Sequence, residues 1–275
     1  MHSSLRLGID LGGSKIEILA LQGSQERLRR RCPTPQGDYP ATLAAICSLV
    51  EECERELGMQ GSVGIGIPGT RSPDHGRIKN ANSTCLIGQD LAGDLEQRLQ
   101  RPIRLANDAD CFALSEASDG AGAGAASVFG VILGTGVGGG IVIHGRLLAG
   151  PNAIAGEWGH NPLPWRQPAD GRPMRCYCGL DDCIETFLSG PGWAARSGLG
   201  LDAGAIALAA SQGVPATKGI TSVAASVKRL VGDEQNTAVV ISADRTVKYE
   251  TVVQVMDSLQ RAGIARVGLS VQLAP

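Results

Sequence analysis

Apolar and polar positions alternate from Leu5 to Asp10 and again from Lys15 to Leu21, with Leu11-Gly12-Gly13-Ser14 between them. The period of two predicts paired strands, so the chain opens as a β-hairpin. Arg27 to Arg31 continues as a third strand. From Tyr39 to Leu57 the period changes: Leu43, Ile46, Leu49, Val50, Cys53 and Leu57 recur at helical spacing, and Gly58 marks the stop. Val63 to Gly69 reads as a buried strand closed by a Pro-Gly turn, Asp90 to Leu99 as a short helix, and Ile103 to Leu105 as a strand. Asn107-Asp108-Ala109-Asp110 then opens a helix through Phe112, Leu114 and Glu116, with either Asn107 or Asp108 as its N-cap. Hairpin, strand, helix and strand in this order spell an α/β layer.

Gly120-Ala121-Gly122-Ala123-Gly124 breaks the pattern and predicts a hinge between lobes. Beyond it, Ser127 to Leu133 is an apolar strand, Gly134 to Gly140 a glycine-rich turn, and Ile141 to Gly145 a second strand. This late hairpin repeats the layout of the first and predicts an internal duplication. A dinucleotide-type glycine run would open a helix, whereas here a strand follows. An Ala-rich helix is expected from Asp202 to Ser211, and a composition shift at 213–219 marks a seam. After it come a strand at Thr237 to Asp244, a helix at Tyr249 to Ala262 and a strand at Arg266 to Val271, a β-α-β unit. The expected divisions are residues 1–120, 121–212 and 213–275.

Composition narrows the field. The net charge of −2 and the lack of a dense Lys/Arg run give no footprint for nucleic acid. No apolar run reaches the ~18 residues of a membrane span, and Asp10 interrupts the first apolar segment, so neither membrane insertion nor export is expected and the chain reads as cytoplasmic. The 38 glycines in 275 residues are about twice the usual share, and their clustering at strand ends points to phosphate loops rather than low complexity.

The strongest chemical signal lies at 155–185, where His160, Cys176, Cys178 and Cys183 are spaced His-x15-Cys-x-Cys-x4-Cys. Three thiolates and one imidazole suit a closed tetrahedral zinc site that ties a loop together and leaves no position open for a catalytic water. The competing reading is three small buried hydrophobes near an unrelated histidine. Glu157 and Glu185 flank the set, so a metal that fixes the loop also fixes two acceptors suited to a hydroxyl-rich ligand such as a sugar. The amides of Lys79 to Thr84 have the same chemistry, although an Asx-rich turn explains them equally. In the first hairpin, Ser14 and Lys15 can meet phosphate oxygens and Asp10 can hold a hydrated Mg²⁺, while a plain Gly-Gly turn is the alternative. Asp108, at a strand-to-helix turn, can act as a general base toward a bound hydroxyl.

Seven segments together, DLGGSK (10–15), GIGIPG (64–69), KNANSTCL (79–86), LANDADCFALSEA (105–117), LGTGVGGG (133–140), AGEWGHNPLPW (155–165) and CYCGLDDCIETFLSG (176–190), resemble the ROK family of sugar kinases, fructokinase-like with N-acetylglucosamine kinase close behind. The resemblance covers about three quarters of the chain in the right order. It implies an actin-like (hexokinase/ribonuclease H-like) ATPase fold in two lobes that hold sugar and ATP. It implies that Asp108 takes the proton from the sugar 6-hydroxyl, and that Asn82, Asn107, Glu157, His160 and Glu185 hold the sugar. Gly12, Gly13, Ser14, Lys15, Gly134, Thr135, Gly136 and Gly138 would face the phosphates, with Mg²⁺ near Asp10. His160 would offer one ring nitrogen to zinc and the other to substrate. Ser14 stands where the family usually has threonine, and Asp182 where the zinc loop usually has glycine.

The family's later elements, a strand ending in a Gly-Gly-Gly motif and a final helix, are not apparent after Trp193, so the second lobe is expected to be truncated. The segment TAVVISADRTVKYETVVQVMDSLQRAGIARVGLSVQ instead resembles the C-terminal end of the ExbD/TolR family, whose members need a membrane anchor. The expected activity is ATP-dependent phosphorylation of a hexose, fructose favoured. The alternatives are a sugar-binding protein without turnover and an ExbD/TolR-type accessory module. ROK repressors carry an N-terminal helix-turn-helix, and with the first lobe starting at residue 5, DNA binding is not expected. The expected partners are hexose and ATP, with a homodimer where apolar faces stay uncovered.

Overall fold

The computed structural model describes residues 4–81, 83–134, 136–163, 166–197, 227–228, 237–243, 259–261, 263–264 and 266–271. The Ala-rich helix expected at 202–211, the seam at 213–219 and all but the end of the helix expected from 249 lie outside them, as do Asn82 and Thr135. The chain packs as two compact units, Met1–Cys111 with Gly150–Ile154 and Phe112–Ala149 with Ala155–Pro275.

In the first unit β1 (Leu5–Leu11), β2 (Lys15–Gln22) and β3 (Gln25–Pro33) form an antiparallel meander. The alternation puts Leu5, Leu7, Ile9 and Leu11 in the core. Helix α1 (Tyr39–Leu57) crosses to β4 (Ser62–Ile67), which runs parallel to β1. The Asp38 carboxylate caps α1 by accepting from the Ala41 amide, and Gly58, at φ 63°, ends it. Ile46, Val50 and Cys53 on its inner face are fully buried against this sheet. A small hairpin of β5 (Thr70–Arg71) and β6 (Ile78–Lys79) follows, then α2 (Leu91–Leu99) and β7 (Ile103–Asn107), parallel to β4. The strand order is β3-β2-β1-β4-β7. Arg101 clasps Glu54 through two bonds of 2.6 and 3.0 Å and so ties the end of α1 to the entry of β7. Edge strand β3 carries Arg29, paired with Glu17 and Glu26, and Arg30, paired with Glu56. Such charges discourage further strand pairing.

Helix α3 (Asp108–Ser118) starts where β7 ends, and the division between units falls inside it, after Cys111. The sequence instead places a hinge at Gly120–Gly124. In the second unit β8 (Ser127–Leu133) pairs antiparallel with β9 (Val137–Ile143), and β10 (Arg146–Leu147) extends β9 through a two-residue turn with His144 at φ 48° and Gly145 at φ 73°. Helices α4 (Glu185–Leu188) and α5 (Gly190–Ser197) follow the cysteine segment. Strand β11 (Thr237–Ala243) runs parallel to β8, and β12 (Arg266–Val271) parallel to β11. The order β10-β9-β8-β11-β12 repeats, strand for strand and sense for sense, that of the first unit. Ala238, Val239, Val240 and Ile241 are all buried, as a strand covered on both faces requires. The two strands after the expected seam thus occupy the places that β4 and β7 hold in the first sheet.

One expectation is corrected. The stretch 134–140 is not all turn, because Gly138, Gly139 and Gly140 lie in β9, opposite Ile132, Val131 and Gly130. Packing explains them. A Cβ on Gly139 would stand 2.7 Å from the Gly130 carbonyl oxygen and 3.0 Å from Trp158 Nε1, so the strand stays bare for the segment laid across it.

Candidate functional site

In the first unit the chemistry gathers at the C-terminal ends of β1 and β7. The turn after β1 is held from outside: the Thr34 hydroxyl donates to the Gly12 carbonyl at 2.7 Å and the Gln36 amide to the Gly13 carbonyl at 2.5 Å. Gly12 donates to the Lys15 carbonyl, and a Cβ there would lie 3.0 Å from that oxygen, so the turn needs glycine. Ser14 and Lys15 are left exposed at the tip, the lysine 3.7 Å from Glu17.

Asn107 is the cap of α3. Its side-chain oxygen accepts from Ala109 at 2.9 Å and Asp110 at 3.1 Å, and its amide donates to the Gly69 carbonyl at 3.2 Å. That frees Asp108 from capping alone, although its Oδ1 also accepts from Ala109 at 2.8 Å. Burial raises the Asp108 carboxyl above the ordinary aspartate range, the Ala109 bond pulls it back, and the charge of Asp10 raises it further. Burial likewise raises Asp10, with Glu17 adding to the effect and Lys15 opposing it. The result is a carboxyl that holds a proton more readily than an ordinary aspartate, with the charge of Asp10 adding to the effect.

In the second unit the four predicted metal ligands come together: the donor atoms of His160, Cys176, Cys178 and Cys183 all lie within 4.8 Å of one another. Cys176 Sγ is 3.5 Å from His160 Nδ1, and Cys178 Sγ is 3.5 Å from Cys183 Sγ. Tetrahedral zinc with bonds of ~2.0–2.3 Å separates its donors by about 3.5–3.8 Å, so the residues fit that ion. Local turns build the cage. Gly179 at φ 92° donates to the Cys176 carbonyl, and Cys176 donates to Leu180. Among the described residues no other group of three or more His, Cys, Asp or Glu side chains gathers so closely.

The second nitrogen of His160 has a partner that the sequence did not suggest: Nε2 lies 2.9 Å from the Tyr177 hydroxyl, and the two rings meet edge-on at 5.0 Å. Asp182, the departure from glycine, takes φ 54° and puts its carboxylate to use. Oδ1 accepts from the Met174 amide at 2.9 Å and from Arg196 Nη2 at 3.0 Å, while Oδ2 pairs with Arg166 at 2.6 Å. Arg196 donates to the carbonyls of Asp170, Arg172 and Thr186 as well, and lies 3.5 Å over the Phe187 ring. Only the local CYC spacing could have flagged Tyr177. Nothing in the sequence distinguishes Arg196 from a surface arginine. Glu157 precedes the short turn Trp158–His160, and Glu185 Oε2 accepts from the Val137 amide at 3.0 Å.

The sequence profile of the ROK family matches residues 6–247. The chain belongs to the ROK family. Its fold is accordingly the actin-like ATPase fold of ROK sugar kinases, and the family match runs past the expected seam into β11. An N-acetyl-D-glucosamine kinase of Pectobacterium atrosepticum is 44% identical over 191 residues, 68% of this chain and 63% of that protein. One from Escherichia coli O6:H1 is 46% identical over 192 residues, again 68% and 63%. The chain thus matches less than two thirds of the length of these relatives. Among solved structures, a ROK hexokinase from Thermus thermophilus superposes with TM-score 0.79 at 24% identity, covering 97% of this chain and 92% of that one. A ROK family glucokinase from Streptomyces griseus, in complex with glucose and AMPPNP, gives 0.70 at 25% identity, covering 97% and 94%. No helix among the described residues is long and apolar enough to cross a membrane.

Proposed function

We propose that this ROK protein phosphorylates a hexose at its 6-hydroxyl with ATP as donor. The observation that carries this reading is Asp108, set at the start of α3 by its own backbone contact and raised in proton affinity by burial beside Asp10. Asp108 takes the proton of the sugar hydroxyl as that oxygen bonds to the γ-phosphorus, and the bond to the ADP oxygen breaks. Little covalent chemistry falls to the protein, so positioning and charge supply most of the rate. Asn82, Asn107, Glu157 and Glu185 hold the sugar, joined by His160 once a sugar hydroxyl displaces the Tyr177 hydroxyl from its Nε2. Gly12 to Lys15 and Gly134 to Gly136 face the phosphates, with Thr135 at the centre of the second set. Asp10 would hold a hydrated Mg²⁺, which would neutralise charge on the phosphates. The four-ligand cluster takes zinc in a structural role, since its donor set is complete without water. Gly138, inside β9, contributes through Trp158 rather than as a loop.

Among hexoses, N-acetylglucosamine comes first, because relatives named for it share 44% and 46% identity over the matched region. Fructose, favoured by the motifs, is the alternative. Coupled ADP release with N-acetylglucosamine, fructose, glucose and mannose tests both. Sugar-dependent ADP formation greatest with N-acetylglucosamine supports the assignment, and turnover greatest with fructose reverses the order. Sugar-induced thermal stabilisation without ADP supports a binding protein instead.

A further inference from the structure

The turn that joins β8 to β9 does not stand alone; the segment carrying the Cys/His cluster braces it on every side. Gly134 accepts from the Gly190 amide at 2.8 Å, Gly138 accepts from Trp158 Nε1 at 2.8 Å, and Val137 donates to Glu185 Oε2 at 3.0 Å. The Glu185 bond is the charged one and so the strongest of the three. It is also the one tied most directly to the cluster, because Glu185 stands two residues after Cys183. The intervening Ile184 is buried and donates to the Asn161 carbonyl at 2.9 Å, next to His160. Glycine at position 136 leaves the carboxylate room: a Cβ would stand 3.0 Å from Glu185 Oε2 and press it away from the Val137 amide. Val137 itself is buried, so its amide has no water to turn to if Glu185 moves.

We propose that Glu185, beside the sugar contact proposed above, positions the glycine turn for the Cys/His cluster, so that metal occupancy fixes the conformation at Gly134, Gly136 and Val137 and, with it, the affinity for nucleotide phosphate. The first half rests on the geometry just given. The second half rests on the function proposed above, that this turn meets phosphates. Loss of metal frees the Cys183 thiolate, Glu185 drifts from Val137, and the turn loosens while the sheet beneath it stays folded. Glutamate supplies both an acceptor oxygen at this reach and its charge, so glutamine, which keeps only the oxygen, substitutes in part and alanine does not.

The test is amide hydrogen exchange on the full chain, zinc-loaded and after chelation, for wild type, Glu185→Gln and Glu185→Ala. In the wild type, chelation is expected to speed exchange of the segment 134–137 about tenfold or more, in keeping with the loss of a charged hydrogen bond. The segment 128–131 of β8 should stay protected. Glu185→Ala should exchange fast at 134–137 even when loaded, and Glu185→Gln should fall between it and the wild type. Unchanged exchange in a verified metal-free wild type, or full protection in loaded Glu185→Ala, overturns the proposal. If chelation exposes β8 as well, the loaded alanine variant alone decides. Binding of a non-hydrolysable ATP analogue is measured alongside. No binding in any state removes the phosphate role yet leaves the exchange result standing, and binding of equal strength with and without metal overturns the link to nucleotide.

Discussion

Arg196→Met is the substitution whose cost the structure defines most fully. The guanidinium of Arg196 satisfies three main-chain carbonyls, the Thr186 hydroxyl and Asp182, and stacks on Phe187. The ion pair is mostly out of water, with 11% and 14% of the two side chains exposed. Breaking a buried pair by removing one partner costs about 3–5 kcal/mol. Asp182 keeps Arg166 and the Met174 amide, so the lower end applies, about 3 kcal/mol. For a unit of this size each kcal/mol moves Tm by roughly 2–4 °C, and the expected fall is about 6–12 °C at saturating zinc. Arg196→Lys keeps the charge but not the planar fork and should recover less than half of it. Asp182→Gly relieves the left-handed backbone, worth about 1–2 kcal/mol, yet strands two arginines, so it too should lower Tm. Thermal unfolding followed by circular dichroism is the assay. A fall under about 2 °C for Arg196→Met would show that the clasp contributes little and that the arginine sits there by default.

Four further outcomes follow from the same structure. Because burial raises the Asp108 carboxyl, the acid limb of kcat/KM should lie above the ordinary aspartate range near ~3.9, activity falling as pH drops through it. A carboxyl whose folded pKa is raised contributes stability that is present at low pH and lost as pH rises through the folded value. Asp108→Asn should therefore abolish phosphoryl transfer while raising Tm at neutral pH, and a lower Tm would contradict the burial argument. Cys111 is surface-exposed, yet crowding around its thiol and the charges of Asp108, Asp110 and Asp10 push it up to about 11, so it should react with iodoacetamide more slowly at pH 7.5 than an unstructured cysteine peptide, as mass spectrometry would read. Metal analysis should return one zinc per chain, and none in Cys176→Ser or Cys183→Ser, both of which remove a buried ligand; full retention would refute the four-ligand site.

Much of this was written locally in the sequence. Leu5 to Leu11 and Lys15 to Gln22 announce their pairing through a period of two that the structure keeps, and α1 shows its inner face, its Asp38 entry and its Gly58 exit. The metal cluster was legible because three of its four ligands lie within one short turn. Where side chains vanish, so does the pattern: Gly138 to Gly140 read as turn because glycine cannot display alternation, and only the packing of Trp158 reveals a strand. The pairing of β11 with β8 joins residues more than a hundred positions apart, which local periodicity cannot signal. The duplicated layout of the two hairpins was the one clue. Arg196, and with it the partner of the Asp182 that the sequence did single out, was hidden for a different reason, since a charged residue ordinarily faces solvent.

The central claim is that the Asp108 carboxylate removes a proton from a sugar 6-hydroxyl as it accepts phosphate from ATP. Phosphorus–proton correlation NMR of the product made from N-acetylglucosamine, by wild type and by Asp108→Asn, measures this directly. The account predicts phosphate on oxygen 6 with the wild type and no product with the variant. Phosphate at any other position, or undiminished product from Asp108→Asn, would contradict it.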